Sequence, residues 1–445
     1  MQNISKLFSP ARMLASVFLG LIMIGSLLLM IPGAYEGTEL AYIDALFTAT
    51  SAVCVTGLVV LDTGTFYTPL GQTIIMSLIF FGALGIMTMT TLVFILLGRK
   101  ITIRDRLVIR EALNQPSFLG LVPLLKAVVQ ISCIFILIGT ILLSIRFIPQ
   151  LGSARGIFFA LFHSISAFGN AGFDLFGSYD SLTRFPGDYL VNSTILVLFI
   201  IGGLGFTVII ELFNLRSARH RFSLHARMTL IISFVLLIGG TVLVLLLEYN
   251  NPETIGIMTT GGKIFSALFT SATSRTAGFS VLETGSLGYS SLLVLMGLMF
   301  IGASPTSTGG GVKTTTFGVT LITLISMVRG RREPVVFLRR FPSYHVMKAV
   351  SIIFAAAALV FVSTFLLTIF ESRDFLSLLF EAFSAFGTVG LSTGITPELG
   401  APGKVILIVT MYAGRIGPVT LLVALARKQT KDDVLKYPEE PLLIG

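Results

Sequence analysis

The chain has 445 residues, 54% of them hydrophobic and 12% charged, with a formal net charge of +9. Soluble domains carry roughly 25% charged residues, and so few charges cannot cover a protein of this length in water, which excludes a soluble enzyme. Two cysteines, Cys54 and Cys133, and four histidines form neither a disulfide framework nor a metal-ligand spacing.

Lys6 and Arg12 precede an apolar run from Met13 to Pro32, long enough at about 20 residues to cross a ~30 Å hydrocarbon core. No small-residue cleavage site follows it, so it reads as a retained span and not a signal peptide. Long apolar segments follow at 69–97, 122–148, 189–213, 228–247, 289–327, 346–370 and 403–426, making eight expected spans. Between the spans of each pair lie shorter stretches at 42–54, 156–168, 263–274 and 375–386. They are too short to cross and end in glycine-bearing sequence, as re-entrant half-helices do. The segments GRKITIRDRLVIR, RSARHRF, RGRREPVVFLRR and ARKQTK follow the second, fourth, sixth and eighth spans, and all are basic. The positive-inside rule places them, with both termini, in the cytoplasm. The positive charge is therefore read as topology and not as nucleic-acid binding.

The sequence repeats four times. ALFTATSAVCVTGL, ALFHSISAFGNAGF, ALFTSATSRTAGF and LFEAFSAFGTVGL align on Gly57, Gly172, Gly278 and Gly390, and FFGALG, IIGGLG, FIGASP and YAGRIG place Gly82, Gly202, Gly302 and Gly414 one helix later. The expected fold is all-α integral membrane, with four helix–pore-loop–helix repeats forming a pseudo-fourfold pore. The expected boundaries are an N-terminus at 1–12, repeats at 13–110, 111–221, 222–332 and 333–428, and a cytoplasmic tail at 429–445.

A half-helix that stops at mid-membrane aims its carbonyl end, partially negative, at the axis. Non-helical backbone survives there only if it lines water or ion, so its carbonyls become ligands that replace a hydration shell. The filter segments are Val53-Cys54-Val55-Thr56-Gly57, Phe168-Gly169-Asn170-Ala171-Gly172, Ser274-Arg275-Thr276-Ala277-Gly278 and Phe386-Gly387-Thr388-Val389-Gly390. They carry no Asp or Glu ring, and carbonyl rings of this kind suit dehydrated potassium, with ligands expected at the carbonyls of Val55, Asn170, Thr276 and Thr388. The competing reading is that these glycines only let helices pack.

From Tyr289 to Met327 a single helix would run about twice the membrane thickness. Its middle is small and polar: Gly302, Ala303, Ser304, Pro305, Thr306, Ser307, Thr308, Gly309, Gly310, Gly311, Val312, Lys313, Thr314, Thr315 and Thr316. A broken helix at 302–316 serving as a gate is expected; a packing linker is the alternative. GGGVKTTT lacks the Gly-Lys junction and the preceding strand of a phosphate loop. Arg415, inside an apolar helix, is expected to bond carbonyls of this loop and obstruct the pore, or else to pair with a distant carboxylate. Arg275 should turn off the axis, toward Glu283. His163 reads as a packing histidine, and Glu211 as a residue near a cytoplasmic helix end. The apolar end of the tail, Pro441 to Gly445, is read as docking against a second copy or a regulator, or as disordered.

TSRTAGF, SAFGNAGF and the broken helix GASPTSTGGGVKTTT, together with glycine at all four filter positions, make the whole chain resemble the membrane subunit of Ktr-type bacterial potassium uptake systems, in the superfamily of Trk and HKT transporters. The resemblance implies a potassium transporter of the plasma membrane, in a homodimer. It also implies a cytosolic nucleotide-binding regulatory ring as partner, and sodium as an activator. A secondary transporter of another small solute or cation is the alternative, although four units in one orientation do not fit inverted repeats. A membrane enzyme is disfavoured because no Asp/Glu/His grouping lies within the spans.

Overall fold

The computed structural model describes residues 10–37, 39–85, 121–185, 187–214, 222–331 and 333–425, and these are mostly helical. The elements come in four sets, each a first helix, a half-helix and a second helix. The first set is Pro10–Leu29, Tyr42–Cys54 and Pro69–Leu84. The next is Leu121–Leu151, Ser153–Gly169 and Tyr189–Leu204, the last continued by Phe206–Asn214. The third is Leu224–Glu248, Thr260–Thr273 and Tyr289–Phe300, resumed by Thr314–Val328. The fourth is Ser343–Phe370, Phe375–Gly387 and Ala401–Ile416, continued by Pro418–Leu425.

Among the described residues, four helices are long and apolar enough to cross a membrane, and they are the four first helices, Arg12–Leu29, Pro123–Leu151, Leu224–Glu248 and Ser343–Phe370. Each turns large apolar side chains outward, such as Leu137, Phe234 and Phe354, an arrangement that only lipid or a protein partner can cover. The half-helices are 13 to 17 residues long and bury nearly all of their final turns. Where their first turns meet the surface, Thr259 and Asp374 accept hydrogen bonds from the free amides as N-caps.

Packing between sets closes a circle. Pro69–Leu84 packs on Ser153–Gly169, Tyr189–Leu204 on Thr260–Thr273, and Tyr289–Phe300 on Phe375–Gly387, while Ala401–Ile416 returns to Tyr42–Cys54. A largely buried Lys404–Asp44 ion pair, 2.5 Å long, joins the last set to the first.

The second helices differ from the expectation of straight spans at 189–213 and 403–426. Gly205 and Gly417 take φ of +92° and +95°; at Gly205 the two helical pieces meet at 98°. An α-helix cannot pass through that conformation, and glycine adopts it at little cost. The segment 69–97 likewise leaves the helix at Gly85, φ +78°. The third break runs from Ile301 to Lys313, so Thr314, Thr315 and Thr316 form the first turn of the resumed helix. Of the basic segments, RGRREPVVFLRR folds into a hairpin pairing Val335–Val336 with Arg339–Arg340. The remainder of 69–97, the segments at 98–110 and 216–221, Arg219 included, the first nine residues and the tail from 426 lie outside the described residues.

Candidate ion pathway

Three half-helices stop at a left-handed cap, and the third set has its positive-φ residue two positions past a right-handed one. Val55, Asn170 and Thr388 have φ of +58°, +58° and +51°, and Thr276 has +84°. Their neighbours bond back into the helix, Thr56 N to Ser51 O at 2.8 Å, Ala171 N to Ser166 O at 2.8 Å and Val389 N to Ser384 O at 2.9 Å, the closing pattern of a helix C-terminus. Val53-Cys54, Phe168-Gly169 and Phe386-Gly387 are therefore the last helical turn, not part of an extended filter strand, and Ser274 is a right-handed cap. Reversal two residues before each glycine leaves only the last three residues of each expected segment to line an opening.

Hydroxyls on the half-helices hold each loop at its glycine or at the residue just after it. Ser51 Oγ accepts from Gly57 N and Ser384 Oγ from Gly390 N, both at 3.1 Å. Ser166 Oγ donates to Phe173 O at 2.6 Å, and Thr273 Oγ1 to Phe279 O at 2.7 Å. Their spacing to the filter glycine, six residues in three sets and five in the third, was legible in the sequence but carried no weight without the turn geometry.

The four filter glycines meet in one ring. A Cβ built on Gly57 would stand 2.5 Å from Ala171 O, one on Gly172 3.0 Å from Ala277 O, one on Gly278 2.4 Å from Val389 O, and one on Gly390 2.3 Å from Thr56 O. Each glycine thus touches the next set's carbonyl, and the fourth touches the first. Side chains are excluded twice over, by this contact and by φ between +69° and +93°. The second-helix glycines have a related cause: a Cβ on Gly82, Gly202 or Gly414 would strike the half-helix carbonyl of Val53, Phe168 or Phe386 at 2.0–2.1 Å. Gly302 faces Gly310 O instead.

One cavity opens on the ring and another lies at the loop 301–313. One, of about 570 Å³, is lined by all four filter glycines and by Asp62, Asp174, Asp180, Glu253 and Glu283. Burial, reinforced by the Asp62 and Asp180 carboxylates, pushes the Asp174 carboxyl up to about 7 against the opposing Phe176 amide and Arg184. The other, of about 300 Å³, is lined by Pro305, Thr306, Ser307, Lys313 and Arg415 among others, and shares no residue with the first.

The loop 301–313 lines the second cavity, and its polar backbone has specific partners. Ser304 N and Thr308 N donate to Gly203 O and Gly202 O at 3.1 and 3.3 Å, and Phe206 N donates to Thr306 O at 3.0 Å. The bend at Gly205 frees those carbonyls, and a Cβ there would meet Pro305 O at 2.4 Å. Arg415 donates to Thr308 O and, at 2.5 Å, to Gly82 O. It thus ties the loop to the first set through a carbonyl that sequence reasoning missed. Aligned on the second-helix glycines it stands where the other sets have Ala83, Gly203 and Ala303. Lys313 Nζ donates to Gly309 O at 2.5 Å.

Arg275 turns away from the ring, but not to Glu283: its guanidinium donates to Ser233 O at 3.1 Å and Ser233 Oγ at 3.2 Å on the adjacent first helix, while Glu283 lines the cavity. His163 is buried, with Nδ1 2.7 Å from Phe159 O and Nε2 accepting from Leu175 N at 3.3 Å, so both ring nitrogens are engaged. Glu211 accepts from Ser223 N and Oγ at 3.0 and 2.8 Å, linking one set to the start of the next.

A ring of loops around a polar opening, inside helices that present apolar flanks, defines a multi-pass membrane transporter for small ions. Residues 9–437 match the TrkH family, described as a cation transport protein. The chain is 44% identical to Ktr system potassium uptake protein B of Bacillus subtilis (strain 168) over 98% of its length and 97% of that protein. It is 42% identical to the protein of that name from Vibrio alginolyticus, over 98% of this chain and 94% of the other. With potassium/sodium uptake protein NtpJ of Enterococcus hirae it shares 37% identity over 100% and 99%. The crystal structure of the potassium transporter TrkH from Vibrio parahaemolyticus has the same fold, with TM-score 0.73 at 21% identity, covering 94% of this chain and 86% of that one. The chain belongs to the TrkH family, as a membrane subunit of the Ktr/Trk type of potassium transporter, and is not an enzyme.

Proposed function

We propose that this chain carries potassium across the plasma membrane through the ring of glycine-bearing loops, with eight spans around a pseudo-fourfold axis and both termini cytoplasmic. The observation that carries this reading is the closed circle in which each filter glycine lies against the next set's carbonyl. Four half-helices direct their partially negative ends at that circle, and carbonyls can replace water around a dehydrated cation. The carbonyls of Val55, Asn170, Thr276 and Thr388, each the second residue before its glycine, are the proposed ligands. The acidic cavity faces outside and concentrates cations before dehydration. The loop, Gly302 to Thr316, is the gate, with Arg415 holding it across the path.

The relatives named as Ktr system proteins support a partnership with a cytosolic nucleotide-binding regulatory ring, in a homodimer. The printed name of the Enterococcus hirae relative supports sodium as an activator. Expression in a bacterium lacking its own potassium uptake should restore growth at low potassium, more strongly with the regulatory subunit co-expressed. Normal membrane expression without any restoration, in either condition, would sink the proposal.

A further inference from the structure

The loop is attached to the filter itself as well as to the helices around it. Asn170, Thr276 and Thr388 occupy the same place in three sets, two residues before the ring glycine, each with positive φ. Asn170 Nδ2 donates to Thr276 Oγ1 at 3.0 Å, which ties two filter turns together. Thr308 Oγ1, in the loop, lies 3.2 Å from Asn170 Oδ1 and 3.3 Å from Phe168 O. Gly310 N donates to Thr388 Oγ1 at 2.9 Å. The loop glycines are shaped to this contact: a Cβ on Gly309 would strike Thr276 Oγ1 at 2.1 Å, and one on Gly310 would strike Thr388 Oγ1 at 2.4 Å. All of these partners are buried. The remaining set has Val55 at the equivalent place, whose side chain offers no hydrogen bond.

We propose that Asn170, Thr276 and Thr388 are positioning residues through which the seated loop fixes the filter's geometry, so that ion discrimination depends on the state of the gate. Positive φ is costly for residues other than glycine and persists only where the surroundings over-determine it. A loop that withdraws takes away the donor to Asn170 Oδ1 and the donor to Thr388 Oγ1. Those two turns then keep only the bonds made within the filter and its half-helices, among them Asn170 Nδ2 to Thr276 Oγ1 and Gly390 N to Ser384 Oγ, and the carbonyl beside each left-handed residue gains freedom. A carbonyl ring that can contract accommodates the smaller sodium ion better than a fixed one, so the withdrawn state should discriminate less between the two ions.

This inference rests on the transport reading above, and the test separates the two. The full-length chain is reconstituted in liposomes of bacterial lipid, and potassium flux is measured with and without competing sodium. Thr308→Val alters only the loop, Thr388→Val and Asn170→Leu only the filter turns, and Thr388→Ser restores the acceptor. Losing the loop's bond should lower the potassium-over-sodium ratio roughly three- to tenfold in Thr308→Val and Thr388→Val, and at least as much in Asn170→Leu, which also removes the bond to Thr276. Thr388→Ser should keep the unaltered ratio. In a chain lacking Thr306 to Gly311 the ratio should already be low, and Thr388→Val should lower it no further. That non-additivity separates coupling from a merely structural role. An equal ratio in the intact and loop-deleted chains, or an effect of Thr388→Val that persists undiminished without the loop, overturns the coupling. Absence of potassium flux from the unaltered chain sinks the transport reading itself.

Discussion

At Gly57 and Gly278 the strictest demands fall on a single atom. Gly57 has φ +90° and Gly278 +79°, and a Cβ on either would stand within 2.5 Å of a neighbouring set's carbonyl oxygen. A serine there must push that carbonyl aside and adds a competing hydroxyl ligand. Gly57→Ser and Gly278→Ser should each raise the potassium concentration that half-saturates uptake by about tenfold and weaken discrimination against sodium. Unchanged affinity in both, at normal expression, would remove these loops from the ion path. Asp174 gives the pH dependence. With its pKa at about 7, it passes from largely neutral at about pH 6 to largely ionised at about pH 8. Raising pH adds a negative charge beside the cavity that already holds Asp62, Asp180, Glu253 and Glu283. Uptake at subsaturating potassium should therefore rise across that range, and Asp174→Asn should flatten the rise; a slope that survives the substitution assigns it to another group.

Among the elements, the broken second helices decide what can move. The first helices are continuous and apolar, whereas the loop 301–313 is held by bonds to Phe168, Asn170, Gly202, Gly203, Phe206, Thr207, Thr388 and Arg415 among others. A guanidinium–carbonyl bond contributes about 1.5–3 kcal/mol, enough to bias a two-state gate by tenfold or more. Deleting Thr306 to Gly311 should raise potassium flux in liposomes several-fold and reduce its dependence on a regulatory subunit, and Arg415→Ala should act in the same direction. Wild-type flux and regulation in both would move the gate elsewhere. Gly205→Ala forces a side chain to φ +92° and into Pro305 O, a strain of about 1–3 kcal/mol. It should lower the thermal midpoint in detergent and unseat the loop, raising basal flux; a variant as stable and as tightly shut as the parent would show that the bend does not hold the loop.

For the whole molecule, orientation is the first matter to test. Glu253 and Glu283 are exposed at the acidic cavity, and Arg339 is exposed in the basic hairpin. Single cysteines at Glu253 and Glu283 should react with an impermeant reagent in intact cells, and one at Arg339 should react only after permeabilisation. Reaction at Arg339 from outside would invert the topology.

The membrane class, the four glycine-centred repeats and the break near Gly302 follow from the sequence by itself, because hydropathy, charge and repeat spacing are properties of the chain read in one dimension. Length alone forbids one straight helix from Tyr289 to Met327. Only the tertiary structure decided the rest. The glycines at 205 and 417 break helices because a left-handed conformation is imposed there, and an isolated glycine in an apolar run does not declare its φ. Arg275 chose Ser233 over Glu283 since a buried guanidinium takes whichever oxygens packing brings within reach. The second partner of Arg415, Gly82 O, lies 333 residues away. The ring of glycines on carbonyls exists only once the fourth set has returned to the first, a closure that no spacing along the chain contains.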